Sequence, residues 1–181
     1  AIVLSACGMS DRYAIGIRWA EEASRTLPGE TSVTDEGLYF EDEYIRIGFV
    51  PVLNETIAFS LENKSDSTIR IIWDDASFID LGGSAKRVMH SGVRYIERDQ
   101  YQPPSAIPAG SRLSDIILPT DRVYYVSGQY GGWRTHDIIP QSVAPSFDGW
   151  NVGVLLPLEI GGIRREYQFS FEVVVRELSS N

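Results

Sequence analysis

Asn151-Val152-Gly153-Val154-Leu155-Leu156-Pro157-Leu158-Glu159-Ile160, then Gly161-Gly162, then Ile163-Arg164-Arg165-Glu166-Tyr167-Gln168-Phe169-Ser170-Phe171 is the stretch that decides the fold. Two adjacent glycines accept the positive φ angles of the primed turns, so Gly161-Gly162 reads as a two-residue hairpin loop. Pairing outward from it sets Ile160 opposite Ile163, Leu158 opposite Arg165, Leu156 opposite Tyr167, Val154 opposite Phe169 and Val152 opposite Phe171. Every pair but one is apolar on both sides, and only Arg165 interrupts the row. Side chains alternate faces with a period of two, so a one-residue slip would turn the whole apolar set outward.

The same period runs upstream from Glu43. Ile45, Ile47 and Phe49 alternate with more polar neighbours, as do Ile57, Phe59 and Leu61, and again Ile69, Ile71 and Trp73 after the turn Asn63-Lys64-Ser65-Asp66-Ser67. Further strands are expected over Ser77–Leu81, Lys86–His90, Val93–Glu97, Leu113–Leu118, Arg122–Val126 and Thr135–Ile139. Many short alternating strands with frequent turns predict an all-β domain over 43–178, an antiparallel β-sandwich. Immunoglobulin-like topology is the first choice, with a jelly roll or small β-barrel as alternatives. Ahead of it, 7–42 reads as a tether. It holds either a short helix around Arg18–Leu27, stopped by Pro28-Gly29, or an early strand through Tyr13–Ile17, and Gly29–Gly37 is turn-rich enough to be a linker. No internal repeat or low-complexity run is present.

The chain has 181 residues, with 16 Lys+Arg against 25 Asp+Glu and a net charge of -9. Such an acidic chain lacks the general attraction to phosphate backbones, which argues against nucleic acid as a partner. It also lacks a polybasic grip on anionic lipid. No stretch after the N-terminus approaches the ~18 apolar residues of a spanning helix. One cysteine, Cys7, makes no internal disulfide and no cysteine-based zinc site.

Cys7 follows a short apolar run and two small residues, and Leu4-Ser5-Ala6-Cys7 resembles the lipobox of bacterial lipoproteins. Small residues are required there because the processing peptidase must admit the backbone just before the cysteine. The resemblance implies that 1–6 is the remnant of a signal peptide. It implies too that the Cys7 sulfur carries a diacylglycerol and that the amine exposed by cleavage is acylated. Two or three chains, at about 0.8 kcal/mol per buried methylene, anchor stably where one would be marginal. The expected place is the bacterial cell envelope. Gly8 stands where an aspartate would retain such proteins at the inner membrane, which points to the outer membrane. The alternative for Ala1–Cys7 is a first strand with a buried thiol. In the middle of the chain, Ile107-Pro108-Ala109-Gly110-Ser111 is similar to a turn before a strand in immunoglobulin-like bacterial envelope proteins. That likeness covers residues 43–126 and carries no functional residue across.

Catalytic signatures are missing. His90 and His136 belong to no HExxH pattern, and no GxSxG elbow occurs. Both histidines read as polar residues at strand ends, and a non-catalytic protein without a cofactor is expected. Glu41-Asp42-Glu43 and Asp74-Asp75 with Asp80 are the candidate calcium ligands, but neither group matches an EF-hand. The remaining candidate is a glycine-aromatic loop, Gly128–Arg134, in which Tyr130, Trp133 and Arg134, joined by Trp150, could contact a partner. Aromatics of this kind stack on sugars or anchor a protein, the alternative being that they fold back on the core. Three functions follow in order of preference. The first is a lipid-anchored module that binds another envelope protein, the second a carbohydrate-binding domain, and the third a hydrolase whose Asp and His residues meet only in the fold.

Overall fold

The computed structural model describes residues 12–21 and 29–179. Its strands are β1 (Tyr13–Trp19), β2 (Glu30–Thr34), β3 (Gly37–Glu41), β4 (Ile45–Phe49), β5 (Ile57–Asn63), β6 (Ile69–Ile71) and β7 (Ser77–Ile79). There follow β8 (Ala85–Met89), β9 (Ser105–Ile107), β10 (Arg112–Pro119), β11 (Val123–Val126), β12 (Gly132–Thr135), β13 (Asn151–Ile160) and β14 (Ile163–Glu177). The protein is an all-β antiparallel sandwich that nearly closes into a barrel.

The C-terminal hairpin has the expected register, from Ile160 opposite Ile163 to Val152 opposite Phe171. Gly161 and Gly162 take φ of 57° and 79°, the left-handed values that such a loop needs. Val152, Val154, Leu156 and Leu158 are buried on the same face as Tyr167, Phe169 and Phe171. That face meets the meander β2-β3-β4-β5, in which successive strands lie side by side. This is a simpler order than the interleaved sheets of the immunoglobulin domain. Phe49 joins the two layers, its ring centroid 4.9 Å from that of Phe169 and 5.0 Å from that of Phe171. Phe40 adds an edge contact to Phe169 at 5.6 Å. Each such pair contributes about 0.5–1.5 kcal/mol beyond the burial of its area.

Two seams close the sandwich. On one side β10 pairs with β5 as far as Ile117, then crosses to β8 at Leu118 and Pro119, and β8 leads through β7 to β13. On the other side Gly16 of β1 bridges Val52, the Leu53 N–H donates to the Ile15 carbonyl at 3.0 Å, and the Trp19 indole donates to the Ser32 carbonyl at 3.2 Å. A Cβ on Gly16 would sit 2.8 Å from the Pro51 carbonyl oxygen, so the approach requires glycine.

The strands within 13–19 and 30–41 therefore correct the tether expectation. β1 pairs along its whole length with the far half of β14, Ile15 opposite Val175 and Ile17 opposite Val173. β2 and β3 form a hairpin where a linker is expected. Of the two readings for the early segment the strand is the one observed through Trp19, and residues 22–28 lie outside the described residues. Tyr95–Glu97 is a 3-10 turn, not part of a strand.

Trp73 departs from its strand as well, for a traceable reason. Ile72 donates its N–H to the Pro157 carbonyl at 3.0 Å, but Pro157 has no N–H to return. The Ile72 carbonyl accepts instead from Asp75 at 3.2 Å, and the chain curls into a 3-10 turn over Trp73–Asp75. β6 and β7 are the two halves of a strand alongside β13, broken opposite that proline.

Phe169 sits at the centre of the aromatic contact, fully buried. Phe169→Ala is expected to cost about 3–5 kcal/mol of stability, read from urea unfolding. A loss below about 1 kcal/mol would show that the two layers do not depend on this ring.

Candidate functional site

β11 and β12 form a two-stranded sheet apart from the main one. It stands on a small cluster of its own, Met89, Leu118 and Val123, edged by Val93, Tyr95 and Trp133. Tyr125 lies directly across from Trp133, and Tyr124 across from Arg134. The Trp133 ring is half-buried, with the Arg98 guanidinium 5.0 Å over its centroid and the Tyr125 ring in edge contact at 5.4 Å. On the other side of the hairpin, Tyr124 stacks on His136 at 4.0 Å. Tyr130, at the tip, is 85% exposed, and Arg134 donates to its carbonyl at 3.1 Å. Tyr125 is 60% exposed, and Ile96 and Tyr101, from the neighbouring loop, are open too.

The hairpin thus brings together three of the four residues expected to bind. Trp133 is packed against Arg98 and Tyr125, while the Tyr130 and Tyr125 rings are exposed. The sequence places Tyr124-Tyr125 near this loop, but it does not single out Ile96 and Tyr101, because exposure cannot be read from a residue's place in the alternation. Trp150 lies elsewhere. Its ring is in edge contact with Phe147 at 5.3 Å and its carbonyl accepts from Val173 on β14. Cys7 lies outside the described residues.

The histidines occupy two separate stacks. The His90 ring lies flat on Trp73, centroids 4.3 Å apart, and its Nδ1 is 3.2 Å from Asp115 Oδ2. The Ser91 N–H donates to Asp115 Oδ1 at 2.8 Å, and the Trp73 indole donates to the Ser105 hydroxyl at 2.8 Å. Burial pushes the Asp115 pKa up, but hydrogen bonds from His90 and from the Ser91 and Ile116 amides outweigh it and hold the carboxyl below the usual range. Ser, His and Asp are all present, yet Ser91 bonds the carboxylate and not the imidazole, so the nucleophile–base contact of a hydrolytic triad is not made. The arrangement acts as a polar rivet between β8 and β10. Spacing along the chain could not reveal it, since its members come from four separate segments.

The acidic clusters are engaged with cations and backbone amides. Glu41 pairs with Lys64 at 2.7 Å, Asp74 with Arg87 at 2.6 Å and Asp75 with Arg164 at 2.6 Å. Asp80 caps its turn through the Gly82 and Ser84 amides. Among the described residues no three His, Cys, Asp or Glu side chains converge as metal ligands, and no helix is long and apolar enough to cross a membrane. A shallow groove of about 470 Å³ on the outer face of β3, β4, β5 and β10 has its arginines engaged, Arg112 on Glu62 at 3.0 Å and Arg46 over the Tyr39 ring. Set against known proteins, the chain matches no family model, no curated protein and no solved structure.

Because the Asp115 carboxyl is held low in the fold, its contribution to stability is full above the unfolded value near pH ~4 and fades as pH falls through the folded value. The stability gap between wild type and Asp115→Asn is therefore expected to be constant from about pH 7 to 5 and to shrink below about pH 4, measured by denaturant unfolding at each pH. Parallel curves down to about pH 2 would show that the carboxylate is not held by these bonds.

Proposed function

We propose that this chain is a cell-envelope lipoprotein, held to a bilayer through Cys7, whose sandwich is a non-catalytic module that binds another envelope protein through the β11–β12 hairpin. The anchor rests on the sequence Leu4-Ser5-Ala6-Cys7 and its resemblance to a lipobox. The observation that supports the binding role is the open Tyr125 ring set against the half-buried Trp133, with the open Tyr130 ring at the tip of the same hairpin. Tyrosine offers a large, rigid contact at low entropic cost, and the half-buried Trp133 supports the Tyr125 ring before the partner arrives.

Charge supports a protein partner. Over residues 85–136 Lys and Arg outnumber Asp and Glu seven to four, while the chain as a whole is strongly acidic. An acidic surface on the partner would be attracted there and repelled elsewhere. The free Tyr130 ring also favours a second reading, stacking on a glycan. The protein reading ranks first because Trp133, the strongest stacking platform, is covered by Arg98.

Cells fed a labelled palmitate analogue test the anchor. The wild-type protein is expected to carry label and to sediment with membranes, and Cys7→Ser to lose both. An unlabelled wild type would contradict the proposal. The hairpin is tested with Tyr125→Ser/Tyr130→Ser, expected to shift stability by no more than about 0.5 kcal/mol because both rings are exposed. The same variant should abolish a cross-link to an envelope protein seen with wild type. An unchanged cross-link would remove the hairpin from the interface, and glycan-array binding lost on Tyr130→Ser would favour the sugar.

A further inference from the structure

Arg165, the one cation in the apolar row of the hairpin, faces the buried Leu158 across the strand pair. Its guanidinium lies 4.2 Å over the Tyr44 ring, and Nη2 donates to the Tyr44 hydroxyl at 2.9 Å. Nε is buried and has no acceptor. Leaving a buried donor unpaired carries a desolvation cost that proteins rarely leave unmet. Most arginines of the described residues are ion-paired, among them the adjacent Arg164, with Asp75 at 2.6 Å and Glu166 at 2.9 Å. Arg165 is in no ion pair among those residues, and it is half-buried where the other unpaired arginines, Arg134 and Arg176, are exposed.

Asp42 stands on the same wall but is fully engaged. Its Oδ1 accepts the Tyr44 and Ile45 amides, both at 2.8 Å, and its Oδ2 accepts the Tyr167 hydroxyl at 2.7 Å. Burial, and then the neighbouring carboxylate, push the Tyr167 phenol far above its ordinary value, so it remains a donor to Asp42. The charge of Arg165 is left facing an open, shallow cavity of about 580 Å³ between the β3–β4 turn and the start of β14.

We propose that this cavity binds a carboxylate, held by Arg165. A guanidinium edge matches a planar carboxylate. Glu43 and Glu166, on the rim, disfavour a phosphate or sulfate dianion, whose double charge they repel more strongly. The carboxylate is that of a free small molecule or the C-terminus of a peptide. The site belongs to other elements than the β11–β12 hairpin and does not depend on the role proposed for it.

The test is a titration of the ¹⁵N-labelled full chain, watched at the arginine Nε–H resonances, with Arg165 assigned by its loss in Arg165→Lys. The probes are sodium acetate, a short peptide with a free C-terminus, the same peptide amidated, and sodium phosphate at matched ionic strength. The Arg165 Nε–H signal is expected to move saturably with acetate and the free-acid peptide, and not with the amide. Phosphate is expected to bind at least about tenfold more weakly. A peptide that outcompetes acetate identifies a chain terminus as the source, and equal affinity a free small carboxylate. No saturable movement with any carboxylate, or phosphate binding as tightly, overturns the proposal. Should Arg165→Lys fail to fold, the Arg165 Nε–H is assigned in wild type by through-bond correlation to its own backbone amide, so the readout and its power to overturn the proposal remain. In a folded Arg165→Lys, the Tyr44 and Glu166 amides should respond to acetate at least about tenfold more weakly, because lysine has no planar fork.

Discussion

Two adjacent glycines, Gly161 and Gly162, set the longest pairing in the molecule, and most of the other strands take their positions from it. Once that loop fixes which residues oppose which, Tyr167, Phe169 and Phe171 must share a face with Val152, Val154, Leu156 and Leu158. An apolar face of that size cannot stay in water, and the meander β2–β5 brings Phe40 and Phe49 to cover it. β1 then extends the sheet along the free edge of β14, while β6 and β7 take the free edge of β13. The core is aromatic at its centre because the paired rings of two sheets fill a wide gap that aliphatic side chains would leave partly empty.

The same hairpin explains the irregular parts. Pro157 fits within β13 only because it withholds an N–H from its β6–β7 side, and the chain opposite responds by curling at Trp73. That turn presents the indole to His90, and His90 meets Asp115 where β10 passes from one layer to the other. A missing donor on one strand is thus linked to the contact between His90 and Asp115 on others. The β11–β12 hairpin lies beyond this crossing, on a support separate from the main core. It combines a small apolar base of its own with exposed tyrosines, so the hairpin does not owe its support to those rings.

Much of the sandwich was legible from period-two alternation, because each strand buries one face and the pattern survives in the residues themselves. The register of β13 and β14 was legible for the further reason that glycines dictate their loop. β2 was not, since four of its five residues are exposed and an edge strand with little to bury leaves little pattern. Trp73 fits the alternation of Ile69 and Ile71, and what removes it from the strand is a proline more than 80 residues away. Gly128–Arg134 reads as a glycine-aromatic loop whose rings either meet a partner or fold back on the core. Gly132–Thr135 is a strand, and the division into a packed Trp133 and an exposed Tyr130 depends on Arg98, from another segment. Trp150 was grouped with it on composition alone and belongs beside Phe147. Arg165 was visible as the odd member of its row, whereas the unpaired Nε was not.

The central claim is that one cooperative sandwich, organised on β13 and β14, carries a separately supported hairpin. Native-state amide hydrogen exchange tests it most directly, because it reports the free energy of opening residue by residue. The interior amides of β13 and β14 are expected to exchange only through global unfolding, and those of 123–126 and 132–135 through a smaller opening that leaves the sandwich intact. Hairpin amides protected to the global value, or β13–β14 amides exchanging before them, would contradict the account.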